Sequence, residues 1–256
     1  MSPVSEGPMS LTGSTVLVTG ASSGIGRETA VLLSALNARV VLVGRNRERL
    51  AQTLSSLSGG GHRIAAFDLV QTEEIPEWFR SLASDMGPMN GLVHAAGKQL
   101  TMPVRFVTPQ AVDELLRTNL TSAIMLVRAF CQKNCHTAES SVVFISSVVG
   151  LVGRPATSVY SASKAALIGL SKSLAVELAP ERIRVNCIAP AFVQTELLDE
   201  VRETLTPEQY RALEDLHPLG FGTARDIANA VAFLLAGTAR WITGSMLVVD
   251  GGYSAR

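Results

Sequence analysis

Short runs rich in β-branched residues alternate with helix-length segments along the whole chain, and this alternation limits the fold more than any other feature. Seven runs are predicted strands: Thr15–Thr19, Arg39–Val43, Arg63–Phe67, Gly91–His94, Ser141–Ile145, Arg184–Ile188 and Met246–Val249. The predicted helices lie between them: Ile25–Ala35, Arg47–Leu57, Ile75–Met86, Pro109–Cys135, Val159–Ala179 and Ala224–Leu235. Because strands separated by helices pair in parallel, the sequence predicts an α/β fold with a doubly wound, seven-stranded parallel sheet and helices on both faces.

The length of the chain favours one domain. With 256 residues, 47% of them hydrophobic, it can build one large core. We expect a flexible tail over residues 1–10, which lack the features of a secretory signal, and a single domain over residues 11–256. Residues from about 191 to 221 contain no predicted strand, so we expect them to form a helical lid over a substrate.

The charge balance argues against two classes of partner. Lys plus Arg and Asp plus Glu both number 22, so no overall basic field attracts nucleic acid or an anionic membrane. No uninterrupted apolar run reaches the roughly 18 residues of a membrane span. The three cysteines form no paired CxxC motif, and with four scattered histidines they predict no metal site. A cytoplasmic protein with a small-molecule partner is the expectation.

A glycine-rich turn follows the first predicted strand directly. It extends from Gly20 to Gly26 and a predicted helix begins at once, so backbone N–H groups can face a pyrophosphate at the positive end of that helix. The spacing is Gly-x-x-x-Gly-x-Gly rather than the Gly-x-Gly-x-x-Gly of the common dinucleotide fingerprint. On the spacing alone, a purely structural turn remains an alternative.

The end of the second strand indicates which dinucleotide binds. An acidic residue there would bind the ribose 2′-hydroxyl of NAD, but the chain has Gly44-Arg45-Asn46-Arg47. An arginine can pair with the 2′-phosphate of NADP instead. Arg45 therefore favours NADP(H) over NAD(H), unless Arg45 and Arg47 only form the solvated start of a helix.

A tyrosine and a lysine lie four residues apart on the fifth predicted helix. Tyr160 and Lys164 share one helix face, and Ser147 follows the end of the fifth strand. We expect the Lys164 ammonium and a positively charged nicotinamide together to lower the pKa of the Tyr160 phenol, so that Tyr160 exchanges a proton with a substrate oxygen that Ser147 also binds. A Tyr/Lys pair alone would more often have a structural role, but its combination with the glycine-rich turn favours the catalytic one.

These motifs together resemble the short-chain dehydrogenase/reductase family, over nearly the whole chain. The resemblance implies a Rossmann fold and a fourth catalytic residue, Asn119, which holds a water that links Lys164 to solvent. Within the family, the last strand is similar to that of 3-oxoacyl-[acyl-carrier-protein] reductases. The cofactor site implied by the glycine turn and the resemblance consists of Gly20, Ser22, Ser23, Gly24, Ile25, Gly26, Arg45, Asp68, Leu69, Ala95, Ala96, Gly97, Tyr160, Lys164, Pro190, Val193 and Thr195.

Two positions depart from the family pattern. His94 stands where the family often has Asn, and we expect a buried histidine that needs no partner beyond the backbone. Ala191 replaces the common Gly after Pro190, which adds a methyl group beside the expected nicotinamide pocket. The resemblance also implies a homotetramer or homodimer assembled through the two long helices.

The substrate is the least determined part of the prediction. Reduction of a 3-oxoacyl thioester, carried on acyl carrier protein or coenzyme A, is the leading hypothesis; dehydrogenation of a sugar, polyol or steroid-type alcohol is the alternative. A catalytically silent protein that senses NADP(H) is an alternative of another class. The expected substrate walls are Val149–Ala156 and apolar lid residues, which could equally pack the lid's own core: Phe192, Leu197, Leu198, Leu205, Tyr210 and Leu213. Candidate contacts to an acidic carrier protein are Arg105, Arg128 and Lys172. Arg154 and Arg202 could contact an anionic substrate.

Overall fold

A seven-stranded parallel sheet forms the centre of the protein, as predicted. The structure, a computed structural model, describes residues 7–203 and 205–255. The strands are β1 (Thr15–Thr19), β2 (Arg39–Gly44), β3 (Arg63–Ala66), β4 (Met89–His94), β5 (His136–Ile145), β6 (Arg184–Pro190), β7 (Val193–Gln194), β8 (Gly222–Thr223) and β9 (Met246–Val249). The sheet has the order β3-β2-β1-β4-β5-β6-β9, and β7 pairs with β8 separately.

Helices cover both faces of this sheet. They are α1 (Gly24–Ala35), α2 (Arg47–Leu54), α3 (Ile75–Met86), α4 (Pro109–Leu116), α5 (Ser122–Phe130), α6 (Ser158–Glu177), α7 (Glu196–Glu203), α8 (Pro207–Asp215) and α9 (Ala224–Leu235). Alternate residues of one strand enter different cores: Val142 packs in the core on the side of α3, α5 and α6, and Val143 in the core on the side of α1 and α9. This two-sided burial explains why the strands are apolar without alternation.

The strand order fixes where a ligand can bind. The chain first builds outward from β1 to β2 and β3, and then crosses back to place β4 on the other side of β1. In such sheets a crevice opens at the carboxyl ends of the strands, where the order reverses. The loops after β1, β4, β5 and β6 therefore meet at one edge.

The predicted helix Pro109–Cys135 is interrupted, which corrects the single-helix prediction. A π-helical turn over Arg117–Thr121 separates α4 from α5. At this turn Ser122 N donates to Arg117 O, and the Ser122 hydroxyl donates to the carbonyl of Thr118 (2.6 Å). The side chain thus satisfies a carbonyl that the wider turn leaves free. Helix α5 ends at Phe130, so the cysteine at the predicted end lies in a turn.

The prediction that the lid lacks a strand is wrong. Residues 193–194 form β7, which pairs in parallel with β8 just beyond the predicted lid. The helical part of the prediction holds, because α7 and α8 both lie within residues 191–221. A short pairing of two residues carries too little periodic pattern to be recognised from sequence.

The ends of the chain add little to the site. Residues 1–6 of the predicted tail lie outside the described residues, and Ser10 N donates to Gly7 O (2.8 Å) in a turn. Leu11 is 5% exposed and begins the packed domain. None of the helices in the described part of the chain is long and apolar enough to span a membrane.

Candidate active site

A cavity of about 150 Å³ opens at the carboxyl edge of the sheet, in the predicted place. Three of the four residues predicted to be catalytic line it: Ser147, Tyr160 and Lys164. Asn119, the fourth, lies behind the cavity, next to Gly97: a Cβ on that glycine would stand 3.4 Å from Asn119 Oδ1 and 3.3 Å from Lys164 Nζ. The structure therefore brings the four side chains together.

The two serines after β5 have different surroundings. Ser146 is 3% exposed, and its hydroxyl donates to the Lys164 carbonyl (2.7 Å), which ties the end of β5 to α6. Ser147 begins a short 3₁₀ turn, and its hydroxyl donates a long hydrogen bond to Pro190 O (3.4 Å) and also interacts with the Tyr160 phenol. Ser146 thus has a structural bond, whereas the Ser147 hydroxyl can readily exchange its weak bond for a ligand.

The Tyr160 phenol is protonated at neutral pH. Desolvation raises its pKa to about 12, although a hydrogen bond from Ser147 acts in the opposite direction. Lys164 Nζ lies 5.7 Å from the centre of the Tyr160 ring. The lowered pKa expected for the phenol beside Lys164 and a nicotinamide is not found in the protein alone, where desolvation has the largest influence.

Lys164 is a buried amine with one fixed partner. It is 5% exposed, and Nζ donates to Ile145 O (2.9 Å). Burial lowers its pKa to about 8, so its proton is far more labile than that of an exposed lysine. The amine can thus carry or release a proton near physiological pH.

The Asn119 side chain is fully engaged. Its Oδ1 accepts from Lys98 N (2.8 Å), and its Nδ2 donates to Lys98 O (3.0 Å) and to Ser163 Oγ (3.0 Å). These bonds join the loop after β4 to α6 across the π-helical turn. A water at this place would have to be held through the main chain of Asn119.

The glycine turn requires glycine for steric reasons. Gly20 has φ +67°, and a Cβ there would stand 2.9 Å from Ala96 N; a Cβ on Gly26 would overlap the carbonyl of Gly20. The turn is thus packed backbone against backbone. Ser23, the N-cap of α1, makes no side-chain cap, and the first turn has no acidic residue, so local side chains leave the helix amides uncovered.

A carboxylate from the lid occupies this amide site. Glu196 Oε2 accepts from Gly24 N (3.1 Å), and Oε1 lies 3.5 Å from Arg27 Nη1 and 3.6 Å from Arg49 Nη2. An anion therefore fits the N-terminus of α1, as expected for a phosphate site. Sequence reasoning missed Glu196, because a contact between residues 172 positions apart leaves no local signal.

The remaining predicted cofactor residues divide into two groups. Those that line the cavity, besides Tyr160 and Lys164, are Ile25, Ala95, Gly97, Pro190, Val193 and Thr195. Those that lie outside its lining are Gly20, Ser22, Ser23, Gly24, Gly26, Arg45, Asp68, Leu69 and Ala96. Arg45 is exposed beyond β2, whereas Leu69 is 6% exposed and packs in the core, so any ligand contact of Leu69 falls to its main chain.

His94 is buried, as expected, and the main chain of Asn119 interacts with its ring, although Nε2 makes no well-aligned hydrogen bond within the described residues. The residue is 1% exposed, and its Nδ1 lies 3.2 Å from the hydroxyl of Thr19, which accepts from Ala96 N (3.1 Å). Burial, with the nearby Lys164 charge, lowers the pKa of His94 to about 3, so the ring is neutral.

The apolar lid residues have two roles rather than one. Phe192, Leu197 and Leu198 line the cavity, but Tyr210 packs on Phe221, with ring centres 5.5 Å apart, in the lid's own core. Tyr253, from the turn after β9, also lines the cavity and was not predicted. The Gly251-Gly252 pair before it was the available signal, since such a turn can redirect the chain.

Comparisons with known proteins find relatives along almost the whole chain. A family model described as enoyl-(acyl carrier protein) reductase matches residues 20–254. The chain is 37% identical to a 3-oxoacyl-[acyl-carrier-protein] reductase of Bos taurus, over 92% of this chain and 95% of that protein. It is also 37% identical to the reductase of the same name from Rickettsia prowazekii, over 94% and 97%.

A solved structure is similar as well. A short-chain type dehydrogenase/reductase from Mycobacterium ulcerans superposes with a TM-score of 0.90 at 30% identity, covering 96% of this chain and 92% of that one. Sequence and structure thus agree over almost the whole length. The chain belongs to the short-chain dehydrogenase/reductase family of oxidoreductases.

Proposed function

We propose that the protein is an NADP(H)-dependent reductase of 3-oxoacyl thioesters. One observation carries the proposal: a phenol that is protonated at neutral pH, Tyr160, shares a cavity with the hydroxyl of Ser147 and the amine of Lys164. A protonated phenol is what reduction of a carbonyl requires, because the product oxygen must gain a proton. Reduction is therefore the favoured direction.

The residues present fit a nicotinamide dinucleotide. The glycine turn accepts an anion in the form of the Glu196 carboxylate, so a pyrophosphate suits the same amides. Arg45, exposed at the end of β2, would pair with a 2′-phosphate, which supports NADP(H). The bound cofactor would supply the hydride. Pro190, Val193 and Thr195 would hold its nicotinamide end, since they line the cavity.

The chain's own groups then handle the oxygen and its proton. Ser147 and Tyr160 donate hydrogen bonds to the substrate carbonyl, which orients it and stabilises the charge that develops on its oxygen. Tyr160 gives its proton to that oxygen. Lys164, with its pKa near 8, stabilises the resulting phenolate and returns a proton to it. The Asn119 carbonyl would hold the water that connects Lys164 to solvent, because its side chain is engaged elsewhere.

Several features support an acyl substrate. Leu197, Leu198 and Val149 give the cavity an apolar lining, which suits an acyl chain better than a sugar. Two relatives are named as 3-oxoacyl-[acyl-carrier-protein] reductases. Basic residues that could contact an acidic carrier are exposed: Arg105, Arg128 and Lys172. A sugar, polyol or steroid-type alcohol dehydrogenase, and a catalytically silent NADP(H) sensor, are the competing hypotheses.

The assembly and location follow from the same proposal. We infer a cytoplasmic homotetramer or homodimer with contacts through the long helices. Val176 of α6 is 79% exposed and Ile124 of α5 is 42% exposed, so both helices present apolar side chains that a second subunit could cover. Sedimentation at micromolar concentration tests this, and a monomer would contradict it.

The experiment for the reaction is a tyrosine substitution with a matched control. Tyr160→Phe keeps the ring and removes the proton, so we expect kcat for a 3-oxoacyl thioester to fall by about 10²- to 10⁴-fold with NADPH binding unchanged. Tyr210→Phe, in the lid core, should keep kcat within about twofold because its side chain does not line the cavity. Full turnover by Tyr160→Phe would refute the assignment.

A further inference from the structure

Arg154 is a half-buried guanidinium on the wall of the candidate active site. It lies in the loop between β5 and α6 and lines the same cavity as Ser147 and Tyr160. Its Cζ stands 4.7 Å from the centre of the Phe192 ring, which also lines the cavity. Stacking on an aromatic face leaves the edge of a guanidinium free for in-plane hydrogen bonds. Phe192 therefore holds the Arg154 guanidinium by its face and leaves the N–H groups at its edge available to a ligand.

The charge of Arg154 is not neutralised within the protein. Over residues 7–203 and 205–255, no carboxylate lies within ion-pair distance of it. The charged residues that line the cavity are Lys98, Arg154 and Lys164, with no Asp or Glu among them, and Lys98 pairs with Glu114 (3.9 Å). Burial lowers the pKa of Arg154, which reflects its partial loss of hydration. A half-buried cation without an anionic partner is costly, and an anionic ligand would offset that cost.

The loop that carries Arg154 is fixed before any ligand binds. The Thr157 hydroxyl donates to Arg154 O (2.8 Å), and Met102 N donates to Ala156 O (2.6 Å). Ala156 has φ +62°, a left-handed conformation that a non-glycine residue keeps only where its surroundings hold it. Pro155 further restricts the backbone. The guanidinium is therefore pre-positioned, which lowers the entropic cost of binding.

We propose that Arg154 is a specificity-determining residue that binds a carboxylate of the substrate. The preferred substrates are then 3-oxoacyl thioesters that carry a free carboxylate at the distal end of the acyl chain, and oxo acids are small fragments of such substrates. A guanidinium binds a carboxylate with two parallel hydrogen bonds, whereas an ester offers it only neutral acceptors. This inference rests on the proposed reduction at Ser147 and Tyr160, and it narrows the substrate class of that site.

The test compares acids with their neutral esters. Straight-chain oxo acids with one to four carbons between carbonyl and carboxylate, each paired with its methyl ester, are titrated calorimetrically into the wild-type protein saturated with NADP⁺. We expect at least one acid to bind about 10- to 100-fold more tightly than its ester. Arg154→Met should remove that ratio, while Arg154→Lys, which keeps a cation without the fork, should keep part of it.

A second arginine provides the control. Arg202 stacks on Tyr210 (5.2 Å) in the lid but does not line the cavity, so Arg202→Met should leave the acid-to-ester ratio unchanged. Equal affinity for every acid and its ester, or a ratio that survives Arg154→Met, would overturn the inference. Turnover of the esters with NADPH separately tests the proposed reduction. A protein that reduces esters and acids alike would keep the proposed function and lose the role of Arg154.

Discussion

The two walls of the cavity differ in what holds them. The catalytic wall, residues 145–164, is tied by buried hydrogen bonds such as those of Ser146 and Lys164 (2.7 and 2.9 Å). The lid wall, residues 191–221, is held by aromatic packing around Phe221 and by the exposed ion pairs of Glu196. Buried bonds fix geometry, whereas exposed ion pairs contribute little and exchange readily. From this difference we infer that the catalytic wall carries out the proton transfer and that the lid wall controls the access of substrate and cofactor.

The largest expected effect lies on the catalytic wall. Ser147→Ala removes one of the two donors to the carbonyl oxygen, so kcat should fall by about 10²- to 10³-fold with little change in NADPH affinity. Steady-state kinetics with a 3-oxoacyl thioester, together with a fluorescence titration of NADPH, measure both quantities. A loss that appeared mainly in KM would mean that Ser147 acts in substrate access, as proposed for the lid wall, and not in proton chemistry.

The next effect concerns the cofactor. Arg45→Ala removes the cation proposed for the 2′-phosphate, so the affinity ratio of NADPH to NADH should fall by about 10- to 100-fold. The nearby Arg47→Ala is the matched control and should leave the ratio within about twofold. An unchanged ratio in Arg45→Ala would remove the basis for preferring NADP(H).

Glu196 tests the lid wall directly. Its carboxylate accepts a hydrogen bond from Gly24 N and pairs with Arg27, at the place where a phosphate is proposed to bind. Glu196→Gln keeps the shape and removes the charge that competes, so NADPH should bind about three- to tenfold more tightly. Asp199→Asn, on the same helix and without a role in the glycine turn, should have no such effect. Weaker binding in Glu196→Gln would mean that the carboxylate helps to hold the cofactor.

A separate effect concerns stability in acid. The pKa of His94 is about 3 in the folded protein and near 6.5 when exposed, so between these values the unfolded state binds a proton that the folded state excludes. This contribution is fully present above pH 6.5 and is lost as the pH falls, at up to about 1.4 kcal/mol per unit. Urea unfolding of wild type and His94→Asn should therefore show a difference that grows from pH 7 to pH 4. Parallel pH profiles would contradict the assignment.

The sequence predicted the fold because its signal is periodic and repeated. Seven apolar strands separated by helices admit one kind of sheet, and the structure has all seven in it. The errors in secondary structure occurred where contacts between distant segments override the local sequence pattern. The break at Asn119 depends on bonds to the loop after β4 and to α6, and the pairing of β7 with β8 joins residues 29 positions apart.

The parts of the site that lie at the carboxyl ends of strands could be predicted from the sequence. Ser147 and the glycine turn occupy positions that any parallel sheet brings together, so their motifs sufficed. Glu196 and Tyr253 reach the site from distant segments of the chain, and neither residue belongs to a motif that indicates a site. The raised pKa of Tyr160 in the protein alone was not foreseen, because the sequence does not show how completely the phenol is desolvated.

The most direct test of the account is the stoichiometry of NADPH oxidation with a 3-oxoacyl thioester. The purified protein is mixed with NADPH or NADH and the thioester, with the matching enoyl thioester as a second substrate, and products are quantified. We predict one 3-hydroxyacyl product for each NADPH consumed, a rate at least about tenfold lower with NADH, and no reduction of the enoyl compound. Tight NADPH binding without consumption by any carbonyl would contradict the account and support a sensor instead.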